Sequence, residues 1–495
     1  MYRSFVGSIV RRKNNLVAAS ASSLAAPSPP TTSSLTRSLT AATSDRNNNK
    51  RMLVLSERDV RRSLDLLECL EINRKAYISL SNGNGIVPNR LGLTYPNKDI
   101  NNKQSNDDDK TAATNPQDWT LIKPAAYYGN GGGCGGDSKD GSSSSKMEDT
   151  VDQDNISMGL KVVSVRANNP SKFGLPLVPA TTILVNPQTG VVNATVSATH
   201  LTVARTSSGP ALAVQTFQPY ADHLVIFGAG SQAEYHIKLM QLAIYNKHQR
   251  LIPHITIINR TIENAMKLKE NLQQGKENED RDKDGQESNE SGRGDLSLKQ
   301  CTIDVVALDD TKSISNILPT ADIIATTTNT STPLWSEQGG KTIPLKKGCL
   351  ITSVGSYTGD MAEIPQSVVN RSYVLVDTPE AVYVGDLKHL GMTPSQVVKN
   401  ETETVVSTDN GLTQSHPVAL FGMALSNPGL IATIPLPRSS KSLDSGVGAT
   451  TDEEDDAVDY IFYKSVGTAI QDVLTADMVV EKAKSLGIGH EIDMT

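Results

Sequence analysis

Cysteine is scarce in this 495-residue chain. Its four residues, Cys69, Cys134, Cys301 and Cys349, lie far apart and form no CxxC pair. Neither a disulfide framework nor a cysteine-based zinc site is expected, and a reducing compartment suits the chain. There is no HExxH motif, and the eight scattered histidines read as ordinary core or surface residues. Aromatic residues are 4% and hydrophobic residues 37% of the chain, and the mean hydropathy is -0.30. That is too little apolar material for every segment to enter a core. No apolar run reaches the roughly 18 residues of a membrane-spanning helix. A net charge of -7 and a pI near 5.7 leave no basic field for nucleic acid. The length suits two or three domains, and the composition trims this to a folded core of roughly 350 residues carrying insertions.

The polar material is concentrated. Residues 1–44 hold Arg3, Arg11, Arg12, Lys13 and Arg37, no acid, and much Ser, Thr and Ala. Tyr2, Phe5, Val6, Ile9 and Val10 can share a helical face beside Arg3, Arg11 and Arg12. This is the composition of a mitochondrial transit peptide, with a disordered extension as the alternative. Residues 1–51 are therefore set apart, and the expected compartment is the cytoplasm or the mitochondrial matrix. Low-complexity insertions are expected at 99–118, 129–154 and 274–298. An acidic linker is expected at 437–457, containing Asp452-Glu453-Glu454-Asp455-Asp456.

Between these stretches the hydrophobic pattern is regular. Residues 52–55 form an apolar strand, and Ser56 is a candidate N-cap with Asp59 at the capping-box offset. Val60, Leu64, Leu67, Leu70 and Ile72 continue at helical spacing. Strands are expected at 119–122 and 160–166, and a hairpin at 181–186 and 191–197 around Pro187-Gln188-Thr189-Gly190. A helix is expected at 200–218. Strands at 224–227, 255–259, 302–306, 322–326, 349–354 and 373–376 then alternate with helices at 231–247, 261–273 and 311–318. Such alternation predicts βαβ units and a parallel sheet. Residues 458–487, rich in Val, Ala and Ile, read as a final helix.

Gly228-Ala229-Gly230-Ser231-Gln232-Ala233 fits the pattern G-x-G-x-x-G/A directly after an apolar strand and at the opening of a helix. Gly228 permits a tight turn, Gly230 lets the backbone approach a pyrophosphate, and Ala233 keeps the helix close to the sheet. The free N–H groups of the helix start, Ser231 and Gln232 included, face the phosphates. A glycine-containing turn in some other α/β protein is the alternative, and the strand–turn–helix context favours dinucleotide binding. The next strand ends in Asn259-Arg260-Thr261, without the acid that grips the ribose of NAD. A guanidinium can pair with a 2′-phosphate instead. NADPH is the expected cofactor, with NADH the second choice; an exposed arginine at a helix start is the alternative reading.

Several segments, in order, resemble the ornithine cyclodeaminase/mu-crystallin family. They are Lys161 on a strand before the hairpin, Ala204-Arg205-Thr206, the Gly228 motif, Asn259-Arg260-Thr261, Val354-Gly355-Ser356 with Asp360 and Glu363, and Tyr463-Lys464-Ser465-Val466-Gly467. The resemblance spans about 52–98, 119–127, 156–273, 300–436 and 458–487. It implies an α/β fold: a Rossmann-type parallel-sheet domain at 219–436, inserted in a mixed, β-rich substrate and dimerisation domain formed by 52–218 and the C-terminal 458–495. It also implies a homodimer.

The resemblance further implies that Arg90, Lys161 and Arg205 hold a substrate carboxylate and that Asp360 supports the reacting centre. Val354, Lys464, Ser465 and Gly467 would lie by the cofactor, the last three near the nicotinamide. Lys161 sits between apolar neighbours, and Arg205 near a helix start, so each needs an anionic partner. An ordinary loop role is the alternative for Arg90. Cyclodeaminases carry an acid where this chain has Tyr357, whereas ketimine reductases of the mu-crystallin type also lack it. The expected activity is therefore NADPH-dependent reduction of a carboxylated cyclic imine. The alternatives are an ornithine cyclodeaminase-type lyase with recycled NAD, and a non-catalytic NADPH-dependent small-ligand binding protein. The expected partner is a small imino or amino acid; no metal, nucleic acid or membrane is expected.

Overall fold

The structure, a computed structural model, describes residues 51–94, 118–129, 156–274, 296–335, 343–397, 418–427, 429 and 458–494. The arginine-rich N-terminal segment, most of the three expected insertions and the acidic linker lie outside the described residues.

The first described strand is β1 (Arg51–Leu55). Ser56 then caps α1 (Glu57–Ser63) through a reciprocal capping box: Asp59 N donates to Ser56 Oγ and Ser56 N donates to Asp59 Oδ2. The spacing through Ile72 predicted one helix, but Asp65 divides it. Its Oδ1 accepts hydrogen bonds from Leu67 N and Glu68 N and so starts a second helix, α2 (Leu66–Ser81). Aspartate favours this N-cap geometry over a helix interior.

Six more strands follow: β2 (Gly85–Ile86), β3 (Leu91–Thr94), β4 (Trp119–Tyr128), β5 (Ile156–Val165), β6 (Ala180–Val185) and β7 (Val192–Ser197). The sheet order is β1-β7-β6-β5-β4-β2, with β3 also pairing with β4, and only the β1–β7 pair is parallel. The strand expected at 119–122 runs six residues further and takes in Lys123. Burial alternates along these strands. Ala125, Tyr127, Val163 and Leu184 face the core, while Ile122, Leu160, Val162 and Ile183 are half-buried on the opposite face, as a period of two requires.

The long helix α3 (Thr199–Phe217) leads into the second sheet. There β8 (His223–Phe227), β9 (His254–Asn259), β10 (Thr302–Ala307), β11 (Ile323–Thr326), β12 (Leu350–Ser353), β13 (Ser372–Val376), β14 (Val418–Leu420) and β15 (Tyr460–Lys464) pair in the order β10-β9-β8-β11-β12-β15-β13-β14. Every pairing is parallel. The helices α4 (Ser231–His248) and α5 (Ile262–Gln274) make the first crossovers. The direction of strand addition reverses between β8 and β11, and ligands of such sheets bind outside the strand ends at that reversal.

Residues 458–487 differ from the single helix expected. Tyr460–Lys464 is a fully buried strand of the parallel sheet, because its aromatic and β-branched run suits a strand covered on both faces. A corner at 465–468 follows. Then comes α6 (Ala469–Leu486), capped reciprocally by Thr468 and Gln471, and β16 (His490–Asp493), which pairs antiparallel with β1. Gly209 of α3 lies against the hydroxyls of Tyr77 and Tyr463, which hydrogen-bond to each other at 2.9 Å. A Cβ at 209 would collide with both. Gly209→Ala is expected to cost about 1–3 kcal/mol by overpacking, read from urea unfolding; an unchanged midpoint would refute that packing.

Among the described residues no helix is long and apolar enough to cross a membrane, and no group of three or more His, Cys, Asp or Glu is placed to hold a metal ion.

Candidate active site

A cavity of about 1080 Å3 opens at the ends of β8 and β11. Gly230, Ser231 and Gln232 line it at the start of α4. Gly228 holds a φ of +114°, and a Cβ there would strike Thr327 Oγ1. Gly230 is the N-cap of α4; no side chain caps it, and a Cβ there would meet nothing within 4 Å. This tight turn, with its open space and uncapped helix start, fits the phosphates of a dinucleotide. Asn259 ends β9, where its side-chain amide donates to the Thr261 carbonyl at 2.8 Å. Arg260 beside it is exposed.

The same cavity is lined by Arg90, Lys123, Lys161 and Arg205. Lys123 of β4 and Lys161 of β5 are register partners, and both are buried. Arg205 comes from α3, and α6 brings Asp472 behind all three. Asp472 Oδ1 lies 2.5 Å from Lys161 Nζ and 2.8 Å from Arg205 Nε, whereas Oδ2 lies 3.1 Å from Lys123 Nζ. Lys161 also donates to Thr202 Oγ1 at 3.3 Å, and Lys123 to the Gly467 carbonyl at 3.2 Å. Arg205 Nε approaches the carboxylate off the line of a hydrogen bond. Its Nη1 is buried with no hydrogen-bond partner among the described atoms.

The electrostatics follow from burying three cations on one anion. Burial lowers Lys161 well below the usual lysine range, and Arg205 adds to this against the pull of Asp472. Burial brings Lys123 down to about 8; Asp472 opposes the shift, and Arg205 and Arg90 reinforce it. Burial would raise Asp472, but Arg205, Lys123 and Lys161 outweigh it and hold the carboxyl well below its usual range.

The corner between β15 and α6 completes this wall. Asp377 Oδ2 accepts hydrogen bonds from Ser465 Oγ at 2.7 Å, Val466 N at 3.0 Å and Gly467 N at 2.6 Å. Gly467 has a φ of +74°, and a Cβ on it would collide with the Arg205 guanidinium. Glycine is needed there for Arg205 to reach Asp472.

Sequence reasoning assigned Arg90, Lys161 and Arg205 to a substrate carboxylate, and all three line one cavity. The anionic partner that Lys161 and Arg205 required is present within the chain as Asp472. Arg205 lies in the second turn of α3 rather than at its start. Val354, Ser465 and Gly467 also line the cavity. Of the expected dinucleotide residues, Gly228, Ala233, Asn259, Arg260 and Thr261 do not line it, and two of those expected near the reacting centre do not either. Asp360 is exposed and does not line the cavity. Lys464 is fully buried and turned away, bonding Ser353 Oγ at 3.1 Å, Asp386 Oδ2 at 3.2 Å and Ser356 Oγ.

The network around Lys464 is structural. Burial would raise Asp386, but Lys464, the Ser356 hydroxyl and the backbone N–H groups of Glu363 and Ile364 hold it low. Burial raises Glu363, against the pull of Lys464, and Glu363 accepts bonds from Gly355 N and Thr328 N. The loop carrying Val354 and Gly355 is thereby fixed. Lys123, Asp472, Asp377 and Glu380, the last also lining the cavity, were not singled out from sequence. A lone acid between Ile470 and Val473–Leu474 on an otherwise buried helix was the available signal for Asp472.

A Rossmann-type parallel sheet with an open, glycine-rich turn is joined by one cavity to a cluster of buried cationic side chains, the architecture of a dinucleotide-binding protein. The sequence pattern of the ornithine cyclodeaminase/mu-crystallin family matches residues 138–290. An "Uncharacterized cyclodeaminase" from Dictyostelium discoideum is 28% identical over 454 residues, 90% of this chain and 100% of that protein. A Delta(1)-pyrroline-2-carboxylate reductase from Bacillus cereus is 28% identical over 447 residues, 89% of this chain and 100% of its own. The structure of the Thermococcus litoralis Delta(1)-pyrroline-2-carboxylate reductase, in complex with NADH and L-proline, shares the fold. It has a TM-score of 0.57 and 21% identity, over 89% of this chain and 100% of that one. The chain is thus similar to members of the ornithine cyclodeaminase/mu-crystallin family.

Proposed function

We propose that the protein is an NADPH-dependent reductase of a carboxylated cyclic imine. The observation that carries this reading is the single cavity running from the uncapped turn at Gly230 to the cations on Asp472. The similarity to pyrroline-2-carboxylate reductases supports it. When bound, NADPH supplies a hydride for the imine carbon. Gly228, Gly230 and Ala233 would cradle its phosphates, and Asn259, Arg260 and Thr261 its ribose end. Lys161 and Arg205 would hold the substrate carboxylate, the Arg205 Nη1 donor being free to do so. Asp472 would orient these groups and oppose the deprotonation of Lys161, which fixes the imine carbon in place. The test is a panel of cyclic imines with NADPH, followed by absorbance. Steady oxidation that depends on the carboxylate is the expected result; no oxidation with any imine would refute the reading.

The lyase remains the second reading, because Glu380 puts an acid in the cavity wall although Tyr357 occupies the position where cyclodeaminases carry theirs. Ammonia release from ornithine with NAD present and no net cofactor consumption would favour it. The half-buried apolar face bearing Ile122, Leu160, Val162 and Ile183 supports a homodimer, which light scattering reads directly.

Cofactor choice gives a separate prediction. Arg260→Ala is expected to raise the KM for NADPH about ten- to a hundredfold, the worth of a partly exposed charge-assisted contact, and to leave that for NADH nearly unchanged. Equal KM values for both cofactors in the unmutated protein would remove Arg260 from this role.

A further inference from the structure

We infer that the imine substrate carries a second carboxylate and that Lys123, with Arg90, receives it. This inference rests on the reductase reading and narrows it to a dicarboxylate. It starts from the way the cations divide on Asp472. Lys161 and Arg205 both approach Oδ1, whereas Lys123 alone approaches Oδ2. Lys161 continues to Thr202, and Lys123 continues to the Gly467 carbonyl. Arg90 lines the same cavity and is close enough to Lys123 to act on its charge. The wall therefore presents two cationic pairs, Lys161 with Arg205 and Lys123 with Arg90.

Charge balance points the same way. Three buried cationic side chains share one buried carboxylate, a formal surplus of up to two positive charges. Asp472 stands behind the cavity wall, and Glu380 is the one acid among the described residues lining it. A single substrate carboxylate on Lys161 and Arg205 cancels only part of the surplus. Buried charge without a partner is costly, and burial has already lowered Lys123 to about 8. A second anionic group beside Lys123 relieves that cost. It also explains why a lysine, rather than an apolar residue, occupies an inward strand position whose β4 neighbours Ala125 and Tyr127 are core residues. The phosphates of the dinucleotide belong to the opposite end, at Gly230–Gln232.

The test uses the full chain with NADPH and two imines, pyrroline-2-carboxylate and pyrroline-2,5-dicarboxylate. The unmutated protein should favour the dicarboxylate in kcat/KM by about ten- to a hundredfold, the worth of one charged contact. Lys123→Met should erase that preference, lowering kcat/KM for the dicarboxylate about ten- to a hundredfold more than for the monocarboxylate. Lys123→Arg should retain most of the preference. Equal rates on both imines in the unmutated protein, or a parallel loss on both in Lys123→Met, would overturn the inference. Calorimetry with the unreactive amines L-proline and pyrrolidine-2,5-dicarboxylate separates the two readings. If neither imine is reduced, the reductase reading fails. Tighter dicarboxylate binding that is lost in Lys123→Met would still uphold the second carboxylate site, and equal binding of both amines would sink it. A thermal melt of each variant guards against misfolding.

Discussion

Asp472→Asn is expected to destabilise the protein by about 3–5 kcal/mol, the usual cost of removing one partner from a buried charge cluster. The amide keeps the shape of the carboxylate but leaves Lys123, Lys161 and Arg205 on a neutral group, all of them shielded from water. The pH dependence identifies the cause. In the unmutated protein Asp472 has a folded pKa far below its ordinary 3.8. Its stabilising contribution is fully present above that ordinary value and is lost as pH falls below it, because the unfolded chain takes up the proton first. The asparagine variant lacks this loss in acid. The lysines act in the same direction but in a higher pH window. Lys123 is depressed from 10.5 to about 8, so the unfolded chain binds more protons between those values and stability rises with pH across them. That rise should be steeper and begin lower in Asp472→Asn, because the amide no longer opposes deprotonation. Urea unfolding at pH 3, 7 and 9.5 reads both limbs and the plateau between them. A uniform loss at every pH would mean that packing, not charge, is responsible.

Lys161→Met is expected to cut kcat/KM by roughly 30- to 5000-fold, the equivalent of about 2–5 kcal/mol for a charged hydrogen bond to a buried carboxylate. Stability should change little or rise. Methionine fills similar space, Asp472 retains Lys123 and Arg205, and exchanging a buried ion for an apolar side chain is often neutral or stabilising. NADPH binding should survive, because the turn at Gly228–Ala233 makes none of the described contacts of Lys161. Stopped-flow and equilibrium fluorescence with NADPH, beside steady-state rates, separate the two effects. A near-normal kcat/KM would take Lys161 out of the site.

Much of this fold can be read from local pattern. The parallel sheet follows from short buried runs alternating with helical spacing, and the phosphate turn from two glycines at the junction of a strand and a helix. Each is decided by residues within a few positions of one another. The carboxylate end is different. Lys123, Lys161, Arg205 and Asp472 come from four elements, and nothing local says that β4 and α6 share a wall. Lys123 falls just beyond the 119–122 run that marked the strand, so it went unnoticed. Lys464 shows the converse: it belongs to a motif shared with the family, yet Ser353 and Asp386, far off in sequence, claim its charge. Asp65 was available as an N-cap, but the hydrophobic spacing on either side of it ran on and hid the break.

The position of β15 has a consequence for how the protein is made. It is the last strand of the parallel sheet in sequence, yet it lies between β12 and β13, and the residues after it supply both Asp472 and the edge strand β16. A ribosome-bound chain that has not yet released residue 464 has β12 and β13 with no strand between them, each offering unpaired backbone groups. The parallel sheet cannot be completed until β15 has emerged. The chain must emerge through β15 before this gap is filled, which prolongs the interval in which chaperones have apolar edges to hold. A premature stop anywhere before β15 therefore yields not a shortened enzyme but an open sheet, a substrate for proteolysis or aggregation.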